Sequence, residues 1–167
     1  TWIIKQKQRA EDTQKRLLDW NDDTAIFYRG KKFSLHHSNE STIIFAKESI
    51  TIPNRFNKNK FINYQAKLYL PERCLDIAEH MGLKTGEIKI RKMKSCWGTC
   101  HRNRNITLNE ALIQVPDWVS DYVMIHECAH LKHFNHSKQF WALVAKFTNQ
   151  TKPAKQWLKE HQPALIN

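Results

Sequence analysis

The stretch "HECAHLKHFNHSKQFW", from His126 to Trp141, gathers His126, Glu127, His130, His133 and His136 into about four helical turns. His126, Glu127 and His130 spell H-E-x-x-H. At 3.6 residues per turn, two residues four apart lie about 40° apart on one helix face and one turn apart along the axis. Both imidazoles then reach a single ion, and they do so only if the segment is helical.

The flanking sequence agrees with a helix at the border of a core. Val119, Val123, His126, His130 and His133 form one stripe, and Trp118, Tyr122, Ile125 and Ala129 form the apolar stripe beside it. Pro116 and Asp117 mark the start, with Asp117 the N-cap candidate and Asp121 in a first turn whose free amides favour negative charge. A buried helix whose histidines only satisfy local hydrogen bonds is the plain alternative. Cys128, between the two motif histidines, reads as a small buried residue.

A third ligand must come from beyond this helix. His133 shares the stripe, but a rise of roughly 10 Å from His126 puts it out of reach of one ion unless the helix ends first. His136 follows His130 by six positions, after Asn135, a residue that tolerates the left-handed conformation used to reverse a chain. The spacing favours His136 as the third ligand, with His133 the alternative. Three imidazoles suit zinc and other late first-row metals. They leave a coordination position for water, whose proton Glu127 can take. The chemistry indicated is metal-assisted hydrolysis with Glu127 as general base.

A rival site is offered by "CWGTCH", where Cys96, Cys100 and His101 could take a metal, although no second cysteine pair repeats the pattern.

Elsewhere the chain alternates helical and extended signals. "TWIIKQKQRAEDTQKRLLDW" reads as an amphipathic helix already under way at Thr1, so a longer natural N-terminus is expected. "AIFYRGKKFSLHH" and "STIIFAKESITIP" each read as two short strands, giving a small antiparallel sheet region. "KFINYQAKLYLPERCLDIAEHMG" is a helix that Pro71 should kink or divide and Gly82 should cap. "GEIKIRKM" and "NITLNEALIQVP" read as extended segments around the turn-rich "SCWGTCHRNRN". Ser137 caps a following helix with Phe140 and Trp141, and Pro153 opens a last one.

At 167 residues the chain, 1–167, fits one domain. Four unevenly spread cysteines argue against a disulfide framework and for a reducing, cytoplasmic home. No apolar run approaches the roughly 20 residues that span a bilayer, so no membrane partner is expected. The net charge of +11 favours polyanions, so nucleic acid or nucleotides are possible partners beside peptides, or it is simply a solvated basic surface.

With these residues assembled, the chain resembles the YgjP-like metallopeptidase domain family of the zincin superfamily. The resemblance is carried by "WII", "IKIRKMKSCWGTC", "ITLN" and "DYVMIHECAHLKHFNHSKQFW", and by their spacing. It implies a zincin-like α+β fold with a small antiparallel or mixed sheet packed on the active-site helix. It further implies one zinc ion on His126, His130 and His136, with Glu127 as catalytic base. Lys94, Trp97, Gly98, Cys100 and Asn109 would line or support the site. A strand beside the helix, for which Ile106 to Glu110 is the candidate, would pair with an extended peptide. The chain departs from the family pattern at Cys96, where a basic residue is common, and at Glu110, where an aromatic one is.

The leading expectation is therefore a zinc-dependent metallopeptidase acting on a peptide or protein. The alternatives are a metal-dependent nucleoside triphosphate pyrophosphohydrolase, suggested by Arg91, Lys94, Arg102 and Arg104, and a nucleic-acid-associated protease. A metal-stabilised interaction module is the non-enzymatic option.

Overall fold

The computed structural model describes Asp12 and residues 20–166. The helix expected over Thr1 to Trp20 lies almost wholly outside the described residues, as does the "WII" motif.

Among the described residues two small sheets form, both mixed. In the first, β1 (Ala25–Tyr28), β2 (Lys31–Ser38), β3 (Ile44–Phe45) and β4 (Ser49–Pro53) run in the order β1-β2-β4-β3. Arg29 and Gly30 turn the first hairpin with positive φ at both positions, 49° and 81°, the pair of angles a two-residue hairpin needs to match strand twist. The two hairpins expected from the sequence are present. The pairing between them is not antiparallel: β2 and β4 run parallel, from Ser34 opposite Ser49 to Ser38 opposite Pro53. Pairing within a hairpin is encoded by its turn, whereas pairing between hairpins follows from burying Leu35, Ile50 and Ile52 together.

The long helix α1 (Lys58–His80) starts on Asn57, whose side chain accepts from the Lys60 amide at 2.8 Å. It ends at Gly82, φ 70°, where Leu83 donates to the Ala78 carbonyl and Gly82 to that of Glu79. Pro71 does not divide it. The carbonyl that Pro71 leaves without a donor belongs to Lys67, on the exposed face, where solvent can satisfy it.

The second sheet holds β5 (Ile88–Arg91), β6 (Gly98–Cys100) and β7 (Ile106–Asn109) in the order β5-β7-β6, with β5 parallel and β6 antiparallel to β7. The extended reading of "NITLNEALIQVP" stops at Asn109, because Glu110–Ile113 form a 3-10 turn whose Ala111 amide donates to the Asn109 side chain. A continuous apolar run such as Ala111 to Ile113 carries no period that separates strand from helix.

Helix α2 (Asp117–Ala129) occupies the centre, against α1, α3 (Lys138–Phe147), α4 (Thr151–Leu165) and strands β6 and β7. Pro116, not Asp117, holds its cap position, without a side-chain cap. The Asp117 carboxylate is instead taken by the Arg29 guanidinium in two bonds of 2.8 and 2.6 Å. Asp121 is held likewise by Arg73. The hairpin turn thus docks on the start of the central helix: Gly30 lies so close that a Cβ there would meet Pro116 Cα at 2.8 Å. Among the described residues no helix is long and apolar enough to cross a membrane.

Candidate metal centre and cleft

Helix α2 ends where its second motif histidine begins. His130 is the C-cap residue, and Leu131, Lys132 and His133 donate to Cys128 and Ala129 in a tightened last turn. The His130 Nδ1 lies 3.0 Å from the His133 carbonyl oxygen, a contact that fixes Nδ1 as the protonated nitrogen and turns Nε2 away from the helix end. The reversal expected at Asn135 is made without a left-handed residue there, since positive φ among non-glycines occurs only at Arg29 and Arg104 of the described residues. The chain had already left the helix, so residues 131–136 have length enough to turn back in ordinary conformations.

That return delivers His136. One ring nitrogen from each of His126, His130 and His136 lies within 4.8 Å of the others, the one such group of three found among the described residues. The Nε2 atoms of His126 and His136 face each other at 3.0 Å. His133 is not part of the group. Burial, reinforced by the other two histidines, holds the His126 imidazole down to about 3, and burial lowers His130 as well. With their basicity lowered in this way, His126 and His130 are ready to bind a cation without first shedding a proton. His126 Nδ1 is buried and has no hydrogen-bond partner among the described residues. An all-nitrogen donor set of this size fits a divalent late first-row metal.

Beneath the three rings sits Phe140, fully buried, with centroid distances of 4.9, 4.6 and 4.8 Å to His126, His130 and His136. Trp141 stacks on His136 at 5.6 Å and 21°. Both belong to α3, whose first turn is capped by Ser137 accepting from the Phe140 amide at 3.2 Å.

Glu127 is only 7% exposed, and burial pushes its carboxyl up to about 7. Its carboxylate rests on the backbone of Gly98: a Cβ at that position would stand 2.7 Å from Glu127 Cγ and 3.0 Å from Oε1. Only glycine allows this approach. The segment leading to Gly98 is braced by Asn109, whose side-chain amide donates to the carbonyls of Met93 and Cys96 at 2.8 and 2.9 Å, while its backbone amide donates to that of Trp97. Among the described residues strand β6 is the edge of its sheet. Trp97 O and His101 N point toward β7, so the two-residue alternation of an antiparallel pair turns the main-chain groups of Gly98 and Cys100 to the open side.

The strand expected to receive a peptide, Ile106 to Glu110, cannot do so. β7 is the central strand, paired on both sides and buried throughout, and Glu110 already belongs to the 3-10 turn. The edge next to the helix is β6, three strand residues inside the turn-rich "SCWGTCHRNRN".

A cleft of about 660 Å³ opens beside His126 and Glu127. One side is formed by Cys96, Trp97 and Gly98, the floor by Tyr122 and Val123, and the far wall by Lys155, Leu158 and Lys159 of α4 with Ile166 just past its end. This last wall is not legible in the sequence, because nothing in the spacing of α4 ties it to the histidines.

Of the residues that the resemblance placed at the site, Trp97 and Gly98 line the cleft and Asn109 braces it from behind. Cys100 lies near Glu127, its thiol pushed up to about 11 by burial and then by that carboxylate. Lys94 is exposed and outside the cleft lining. Cys96 lines the cleft, whereas Glu110 accepts from Asn63 at 2.6 Å in a different pocket. Cys128 is fully buried, with its sulfur 4.0 Å from that of Cys74.

No curated protein matches the chain. Among solved structures, the metallopeptidase zymogen abylysin of Pyrococcus abyssi is 25% identical with a TM-score of 0.49, over 56% of this chain and 99% of that one. The metallopeptidase zymogen jannalysin of Methanocaldococcus jannaschii is 18% identical with a TM-score of 0.47, over 55% and 93%. The model of the YgjP-like, metallopeptidase domain family matches residues 1–161. On that match the chain belongs to the YgjP-like metallopeptidase family and is a metal-dependent hydrolase of that class.

Proposed function

We propose that the chain is a zinc-dependent metallopeptidase in which His126, His130 and His136 hold the ion and Glu127 is the general base. The observation that carries this reading is the convergence of the three ring nitrogens within 4.8 Å, beside a cleft lined by His126 and Glu127. Zinc bound there supplies Lewis-acid polarisation of a carbonyl and makes water more acidic.

The remaining roles fall to side chains and backbone of this chain. Glu127, held near neutrality by burial, is matched to take a proton from the attacking water and return it to the leaving amine. Gly98 keeps that carboxylate at the cleft by leaving it space. The open main-chain groups of Gly98 and Cys100 offer an extended peptide a strand to pair with. No observation favours a nucleotide or nucleic acid over a peptide at this cleft.

The test is to measure bound metal and hydrolysis together, on casein-derived peptides and on a nucleotide panel. Glu127→Ala should keep the metal and lower peptide hydrolysis by about 10²- to 10⁴-fold, the usual contribution of a positioned proton-transfer group. His130→Ala should lose both. Full peptidase activity in Glu127→Ala would refute the mechanism, and hydrolysis confined to nucleotides would refute the substrate class.

A further inference from the structure

One wall of the cleft has no role in the catalytic proposal. On α4, Lys155 and Lys159 both line the cleft, and a spacing of four residues sets them on one helix face, about 6 Å apart along the axis. Apart from Glu127, the described residues lining the cleft include no acid. Neither lysine has an ion pair among the described residues. The Lys155 ammonium is held 3.8 Å over the Trp141 ring centroid, and that indole stacks on His136. One cation is thereby fixed next to the histidines, with the second a turn further out. Between them and the central helix the lining is apolar, from Tyr122, Val123, Leu158 and Ile166, all buried.

An apolar floor under two ammonium groups without an ion pair among the described residues is a surface for a group with an aliphatic stem and an anionic end. We infer that Lys155 and Lys159 determine specificity, taking a carboxylate of the peptide substrate while its aliphatic portion packs on Val123 and Leu158. The inference rests on the peptidase reading above. A glutamate side chain and a free C-terminal carboxylate carry the same chemistry, so the experiment must separate them.

The probes are matched peptides carrying glutamate, glutamine or lysine at successive positions, each with a free or an amidated C-terminus. Binding to the metal-free protein is followed by calorimetry, and cleavage is followed with the zinc-loaded protein. Exposed lysines give modest ion pairs, so glutamate at one position, or the free terminus, should bind and be cleaved about five- to tenfold better than its neutral counterpart. The advantage should shrink as salt is raised. In Lys155→Gln/Lys159→Gln the ratio of charged to neutral peptide should approach one, and Lys155→Arg/Lys159→Arg should restore it. Retention of the preference by only the free-terminus peptides assigns the carboxylate to the chain end, and by only the glutamate peptides to a side chain. Cleavage of charged and neutral peptides alike would overturn the inference and leave the peptidase reading standing. Selective binding without cleavage of any peptide would overturn the peptidase reading and leave carboxylate recognition standing. Equal binding in wild type, or a preference that survives in the glutamine variant, would end the proposal.

Discussion

The candidate site is assembled from two halves held in different ways. His126 and Glu127 ride on a helix enclosed by three other helices and two strands, with Val123, Met124, Ile125 and Cys128 buried around them. His136 is exposed and lies in an irregular stretch, located by one ring stack on Trp141, by contact with Phe140, and by the capped start of α3. His130 sits at the junction. The helical half is therefore set by the fold, while the loop half is set by a few aromatic contacts and by whatever the three nitrogens bind.

The two halves can be told apart by substitution. Phe140 touches both, so its removal should have the largest effect. Phe140→Ala should cost about 3–5 kcal/mol of stability, the usual range for emptying a fully buried phenylalanine site, and should weaken metal binding as well. Denaturant unfolding and a metal titration would check it; unchanged metal affinity in a destabilised protein would show that the rings do not depend on this floor.

Gly98→Ala probes the helical half alone. The added methyl would overlap Glu127 Cγ at 2.7 Å, so the carboxylate must shift. Activity should fall about a hundredfold, as expected for a displacement near 1 Å, with metal content unchanged. Loss of the metal instead would mean that the two functions share more of α2 than the geometry indicates.

Ser137→Ala probes the loop half. Loss of this cap should cost about 1 kcal/mol and lower metal affinity several-fold, because α3 then presents Phe140 and Trp141 less firmly to His136. Chelation should sharpen the same contrast: amide exchange should rise across residues 131–137 and change little across residues 119–128, where the helix is enclosed regardless of the ion.

The same division explains what the sequence alone could reveal. The placement of His126, Glu127 and His130 followed from helical periodicity, a local rule that tertiary packing reinforced. His136 is reached by excluding His133 on distance and through the family resemblance, and the device expected for the reversal, a left-handed Asn135, is not the one used. Strand β6 escaped because three residues between a tryptophan and a histidine carry no period, and its identity as an edge depends on where β7 lies. The wall formed by α4 was beyond reach for a related reason: Lys155 and Lys159 meet the cleft through packing between segments far apart in the chain. The two hairpins of the first sheet were legible from their turns, while the parallel pairing between them was not.

The His133 carbonyl has a consequence of another kind. It is main chain, so any amino acid at that position supplies the same oxygen, and the imidazole that happens to be attached contributes nothing to the contact. Position 133 can therefore drift freely in composition while its location in space stays under constraint. Deleting or inserting a single residue between His130 and His136 should be far more damaging than any replacement there, a signature that substitution scanning would miss and length variation would expose.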